Sequence, residues 1–270
     1  MKIGLRAHDY GRRTPDNMAS TVKSDGFEAI HLAFPKAVTG INSHDDVTEE
    51  IVEEMHQACV KNNLEVTVLG CYIEPSLRDD DQREIHVQRF LRAMDFVKTL
   101  NATCIGTETT NFTYPESERE EVYNILLGSV GRMIEKAEKI NVDVAIEPVS
   151  RHTLNTPELT ARLLKEVPSD RLKIIFDPVN LLTAENIKDQ NNLWDRCFES
   201  FGDKICAVHI KGAKLNDKGE LESTTLLDSD VNYAKILDWI KKNKPNVTLL
   251  REEIKQETAK EDLKFIKSFL

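Results

Sequence analysis

Four short stretches of the 270-residue chain each close an apolar run on a side chain that can bind a metal or move a proton. They are Val144-Ala145-Ile146-Glu147, Lys173-Ile174-Ile175-Phe176-Asp177, Ile205-Cys206-Ala207-Val208-His209-Ile210 and Val247-Thr248-Leu249-Leu250-Arg251-Glu252. One such ending is ordinary, because loops and strand ends commonly carry polar groups. Four, separated by helical segments, describe parallel strands aiming their ends at one point. Glu147, Asp177, His209 and Glu252 offer hard carboxylate oxygens and one borderline imidazole nitrogen. That set suits a divalent ion with open positions for substrate oxygens better than a closed tetrahedral zinc site. Mn²⁺ is the expected ion, with Mg²⁺, Co²⁺ and Zn²⁺ left open. Glu252 and Glu253 are adjacent, and strand alternation sends them to opposite sides. Glu252 matches the other endings; Glu253 is the fallback.

The elements that must position these residues read as a strict alternation. Strands are expected at 3–7, 27–32, 65–70, 103–107, 142–147, 172–177, 205–210 and 247–252. A helix starts at Thr14-Pro15-Asp16, with Pro early in the helix. Further helices are expected at 48–62, 80–100, 116–140, 157–167, 194–201, 232–242 and 258–270. Apolar stripes support them: Ile51, Val52, Met55, Cys59 and Val60 on one, Phe90, Leu91, Met94 and Val97 on the next. Val122, Ile125, Leu126, Val130, Ile134 and Ala137 mark the long helix after the fourth strand. Strands joined through helices are parallel with right-handed crossovers, and eight such units close into a (β/α)8 TIM barrel. No linker-like tract interrupts the chain, so residues 1–270 are expected to form a single domain of the α/β class. No strand is followed by G-x-G-x-x-G, which removes the main support for a dinucleotide fold.

Bulk composition narrows the partners. Hydrophobic residues make up 40% and charged residues 30%, an ordinary globular balance. The net charge of -10 weighs against nucleic acid, whose phosphates are bound by clustered Lys and Arg. Five cysteines without C-x-x-C spacing do not make a zinc ribbon or disulfide framework. Cys71, Cys104 and Cys206 lie in strand segments and are expected to be buried. The chain opens on a strand-like Met1-Lys2-Ile3-Gly4-Leu5 and has no membrane-length apolar run. A cytoplasmic enzyme with a small-molecule substrate, no nucleic-acid partner and no membrane is the expectation.

A metal held this way suggests proton transfer. A ketose carbonyl and its neighbouring hydroxyl on the ion would have an acidified α C–H. Glu147 and Glu252, from strands three steps apart, would flank the sugar. One takes the proton and the other returns it from the opposite face, giving epimerisation; transfer between adjacent carbons on one face gives isomerisation. Both pass through a cis-enediolate. Around this pair, His8 and Asp9 follow the first strand, and Glu74 and Glu108 follow the third and fourth. All could reach substrate hydroxyls. Arg151 and His152, just past Glu147, could orient an anionic group or a ligand carboxylate. Asn180 would be carried toward the same mouth. Tyr72, Phe112 and Trp194 could form an apolar wall, though burial is their default, and His31 fits packing and contact equally.

Ala145-Ile146-Glu147-Pro148, Ile175-Phe176-Asp177-Pro178-Val179-Asn180, Val208-His209-Ile210-Lys211 and Leu250-Arg251-Glu252-Glu253 resemble motifs of the xylose-isomerase-like TIM-barrel superfamily. Within it they look most like the sugar phosphate isomerase/epimerase group, which includes the ketose 3-epimerases. The likeness spans nearly the whole chain, including Arg6-Ala7-His8-Asp9-Tyr10 and Leu69-Gly70-Cys71-Tyr72-Ile73. It implies Glu147, Asp177, His209 and Glu252 as metal ligands, with Glu147 and Glu252 as the acid/base pair. It also implies a homo-oligomer, dimer or tetramer. Asn180 stands where the 3-epimerases usually carry His, and Lys211, a candidate substrate contact, where they usually carry Arg. Three other readings share parts of the pattern. A metal-dependent apurinic-site endonuclease would need more His than the seven present and a basic groove. An inosose-type dehydratase would share the metal and the proton abstraction but expel water. A sugar-binding barrel without catalysis would need no acid/base pair.

Overall fold

The aliphatic and β-branched runs form eight barrel strands in a computed structural model that describes residues 1–270. They are β1 (Ile3–Arg6), β2 (Ala29–Leu32), β3 (Glu65–Gly70), β4 (Cys104–Glu108), β5 (Val144–Glu147), β6 (Leu172–Phe176), β7 (Ile205–Ile210) and β10 (Thr248–Arg251). All neighbours pair in parallel and close in the order β1-β10-β7-β6-β5-β4-β3-β2. Two short strands, β8 (Gly212–Leu215) and β9 (Leu221–Thr224), form an antiparallel hairpin in the connection after β7. No strand is expected there from the sequence.

Helices fill the remaining connections, and their starts carry the expected signals. Thr48 accepts a hydrogen bond from the Ile51 N–H and caps Glu49–Lys61. Asp79, Thr156 and Asn232 cap the helices Asp80–Met94, Pro157–Glu166 and Tyr233–Asn243 in the same way. Two expectations need correction. The helix placed over 80–100 is divided at Asp95, whose carboxylate turns to Lys136 at 2.7 Å; a short turn, Phe96–Thr99, follows. Val60, placed on the inner stripe of its helix, is 60% exposed. No helix is long and apolar enough to cross a membrane.

Alternation along each strand separates two interiors. Outward side chains meet the helices; Phe176, for instance, packs edge-on against Trp194, Phe198 and Phe201. Inward side chains fill the barrel. A small apolar layer of Val68, Cys104, Ala145, Ile175, Ala207 and Leu250 forms its floor. Gly106 keeps that layer narrow, since a Cβ there would lie 2.6 Å from Ile175 Cδ1. Two residues further toward the C-terminal mouth, the inward positions of β5, β6, β7 and β10 turn polar, while those of β3 and β4 are Gly70 and Gly106.

Beneath the last helix, Ala259–Lys267, the outward Arg251 is buried and donates to Asp262 Oδ2 at 2.8 Å. Removing one partner of a buried pair leaves an uncompensated charge, at a cost of roughly 3–5 kcal/mol. Asp262→Ala should therefore lower unfolding stability in urea by an amount in that range. A loss within experimental error would show that the pair does not anchor this helix.

Candidate active site

The polar layer is what strand alternation predicts from the floor below it. Ala145 leads to Glu147, Ile175 to Asp177, Ala207 to His209 and Lys211, and Leu250 to Glu252. The four expected ligands come from consecutive strands β5, β6, β7 and β10, and all are at least 97% buried. His209 Nδ1 lies 3.2 Å from Glu252 Oε1, 3.4 Å from Glu147 Oε1 and 3.8 Å from Asp177 Oδ2. Glu252 is thus the inward member of its pair. Glu253 is exposed and adopts a left-handed φ of 57° as the chain leaves β10.

Further polar groups hold the carboxylates. Asn180 donates from its amide to Glu147 Oε1 at 2.6 Å, while its backbone N–H donates to Asp177 Oδ1 at 3.1 Å. Lys211 Nζ donates to Asn180 Oδ1 at 2.8 Å and sits 2.8 Å from Asp177 and 3.4 Å from Glu252. Burial alone would discharge that amine, but Asp177, Glu252 and Glu147 outweigh it and keep it charged. Arg6 donates to Glu252 Oε2 at 3.1 Å and is itself held by Asp9, at 2.8 and 3.0 Å. Burial raises the Glu252 carboxyl, yet His209, Lys211 and Arg6 more than reverse that and hold it below the carboxylate range.

The donor set fits a divalent cation. His209 Nδ1 is buried, faces three carboxylates and has no hydrogen-bond partner. Glu147, Asp177 and His209 bring ligand atoms within 4.8 Å of one another, as do His31, His209 and Glu252. Oxygen and imidazole donors of this kind are those of Mn²⁺, Mg²⁺ or Co²⁺ sites.

A cavity of about 300 Å³ opens above this centre, lined by Arg6, Glu108, Arg151, Asn180, Lys211 and Glu252, with Leu221, Glu222 and Ser223 of the hairpin overhanging it. A larger surface hollow of about 840 Å³ lies elsewhere, between the helices Pro15–Ser24 and Glu49–Lys61. It contains none of the strand-end residues. Glu108 is in register with Glu147 on the neighbouring strand. Burial, then Glu147 and Glu252, push its carboxyl up to about 7. His152 Nε2 is 3.6 Å from Glu108, and burial with Arg151 pushes that imidazole down to about 4. Arg151 is exposed at the rim. His8 is half-buried and lowered to about 4 by burial, Arg6 and Lys36. Glu74 is not brought in: it is exposed, and its backbone N–H donates to His86 Nδ1.

The wall expected from three aromatics does not form as such. Trp194 is in the outer core, and Phe112 stacks under the Arg119 guanidinium. Tyr72 instead meets His31 Nε2 at 3.2 Å, and His31 Nδ1 meets His209 Nε2 at 3.1 Å. His31 is buried, and burial, then His209, push it well below its ordinary value. Arg6 and His31 were not among the expected site residues. Period-two counting from Gly4 to Arg6 and from Ala29 to His31 would have placed both at the mouth.

The family model for the xylose isomerase-like TIM barrel matches residues 19–269. The chain belongs to that family. No curated protein matches it by sequence. Among solved structures it is similar to a D-tagatose 3-epimerase-like protein, with a TM-score of 0.80, 15% identity and coverage of 100% of this chain and 97% of that one. It is also similar to a D-psicose 3-epimerase in the presence of D-fructose, with a TM-score of 0.77, 14% identity and coverage of 100% and 99%. A probable 3-DHS dehydratase involved in petrobactin synthesis from Bacillus anthracis matches with a TM-score of 0.74, 18% identity and 99% coverage of both chains. Identities this low establish a shared fold.

Burial disfavours a charged His209, but Glu252, Glu147 and Asp177 outweigh it and raise the imidazole from 6.5 to about 9. A cation binding at Nδ1 must displace that proton. Affinity for Mn²⁺ should therefore rise roughly tenfold per pH unit up to about 9 and then level. Calorimetry in buffers of different ionisation enthalpy checks this. An affinity independent of pH between 6.5 and 9 would contradict it.

Proposed function

We propose that the chain is a divalent-metal-dependent sugar (or sugar phosphate) isomerase/epimerase. The observation that carries this reading is that Glu147 and Glu252, from different strands, both lie against His209 Nδ1, at 3.4 and 3.2 Å. Both ends of a proton transfer then face one buried cation-ready centre. Glu147, Asp177, His209 and Glu252 would hold the ion. Once bound, it polarises a substrate carbonyl and acidifies the neighbouring C–H.

The chain's own groups supply the rest. One of Glu147 and Glu252, ionised, takes the proton from the carbon beside the carbonyl; the other, which must enter the cycle protonated, returns one from the opposite face, so the pair ends each turnover with its protonation exchanged. Asn180 fixes Glu147, and Arg6 with Lys211 fixes Glu252. Lys211 and Arg151 can donate to substrate oxygens in the 300 Å³ cavity. The overhanging hairpin limits water at the reacting carbons. The ketose 3-epimerase and epimerase-like neighbours support this choice of chemistry within the family.

One observation favours a second reading. Glu108, at about 7, can carry a proton at neutral pH beside the two site carboxylates. A protonated carboxyl there could assist departure of a β-hydroxyl, which would make the reaction a dehydration, the activity named for one of the structural neighbours. Product mass separates the two, since elimination removes water.

Chain stripped with EDTA and reloaded with Mn²⁺ should exchange a ketose α-proton for deuterium in D₂O, observed by NMR. No exchange from any member of a ketose panel at full metal occupancy would overturn the proposal. Glu147→Gln should lower turnover by about 10²–10⁴-fold, the usual worth of general acid–base help, with the circular dichroism spectrum unchanged. Undiminished turnover would remove Glu147 from the proton transfer.

A further inference from the structure

We infer that His31 is the positioning residue that sets the tautomer of His209, in a hydrogen-bonded chain His209–His31–Tyr72 that keeps the proton of the neutral ring on Nε2 and leaves Nδ1 free for a cation among the carboxylates. This rests on reading His209 as a metal ligand.

The geometry leaves little choice of proton positions. Nδ1 of His209 faces Glu252, Glu147 and Asp177 and has no hydrogen-bond partner. To give a lone pair to a cation there, the ring must carry its proton on Nε2. That nitrogen lies 3.1 Å from His31 Nδ1, which must then accept. A neutral His31 accepting at Nδ1 carries its proton on Nε2, and Nε2 lies 3.2 Å from the Tyr72 hydroxyl oxygen. Each ring nitrogen of His31 thus has one partner and one role.

The backbone is shaped around this ring. Register between β2 and β3 shifts between Ile30 and His31, an irregularity of the kind that re-aims a side chain. On β3, the residue opposite the imidazole is Gly70, where a Cβ would stand 2.6 Å from His31 Nε2. A glycine is needed at that level for the ring to lie inside the barrel. The His31 ring lies 22° from the plane of Tyr72 and 25° from that of His209, so the three rings run nearly parallel across the mouth and meet at their edges. Partners that fix the tautomer of a metal-binding His are typically worth about 10–100-fold in metal affinity.

The test uses the whole chain and the metal alone. Zn²⁺ and Mn²⁺ affinities of the metal-free protein are measured by competition with a chelating dye, with no sugar present. His31→Leu should bind about 10–100-fold more weakly than wild type. His31→Asn, whose amide oxygen can replace the Nδ1 acceptor, should recover most of that loss. In the wild-type Zn²⁺ complex, ¹⁵N spectra of labelled histidine should show both His209 and His31 protonated on Nε2. Equal affinities for wild type and His31→Leu would overturn the inference while leaving the proposed activity standing; a His209 protonated on Nδ1 with Zn²⁺ bound would overturn both the inference and the reading of His209 as a ligand. Should His31→Leu fail to fold, the wild-type spectrum decides alone. A wild type that takes up neither ion would overturn both.

Discussion

The structure depends on balancing buried negative charge. Glu147, Asp177 and Glu252 sit in one enclosed layer, with Glu108 beside them. Removing an ion from water costs several kcal/mol even after relaxation, so such a layer persists only where opposite charge faces each oxygen. Lys211 meets Asp177 and Glu252, Arg6 meets Glu252, and His209 faces all three ligand carboxylates. Even with these groups His209 Nδ1 keeps a bare edge toward the carboxylates. A divalent ion would complete that balance.

This constraint explains the division of labour along each strand. The floor layer is small and apolar, so the polar layer above it rests on a packed, buried base. The rigid strands then supply ligands, while the loops supply groups that can differ without disturbing the centre: Arg151 and the hairpin residues. Epimerisation, isomerisation and dehydration all begin with loss of a proton beside a carbonyl. They diverge in which group returns a proton and to which atom.

Most of this was legible because barrel geometry imposes a period of two. The apolar runs ending on Glu147, Asp177, His209 and Glu252 revealed strand direction and site together. Alternation also separated Glu252 from Glu253. The hairpin Gly212–Leu215 and Leu221–Thr224 was not legible, because its second strand is largely exposed and carries no apolar alternation. Its cue was the turn at Asn216–Glu220, where Gly219 adopts a φ of 76°. His31 fits packing and contact equally in the sequence, because a lone His closing an apolar strand can do either. Only the shifted register and the opposing Gly70 show that its ring enters the site. Glu74 was expected by its place after β3, yet the chain turns it outward and Tyr72, two residues earlier, faces in.

The central claim is that four consecutive strand ends form one divalent-metal centre. Diffraction at the manganese absorption edge from crystals grown with Mn²⁺ tests it most directly. One anomalous peak enclosed by Glu147, Asp177, His209 and Glu252 is expected, with His209 bound through Nδ1. A peak at another location, or none from protein that binds the ion in solution, would contradict it.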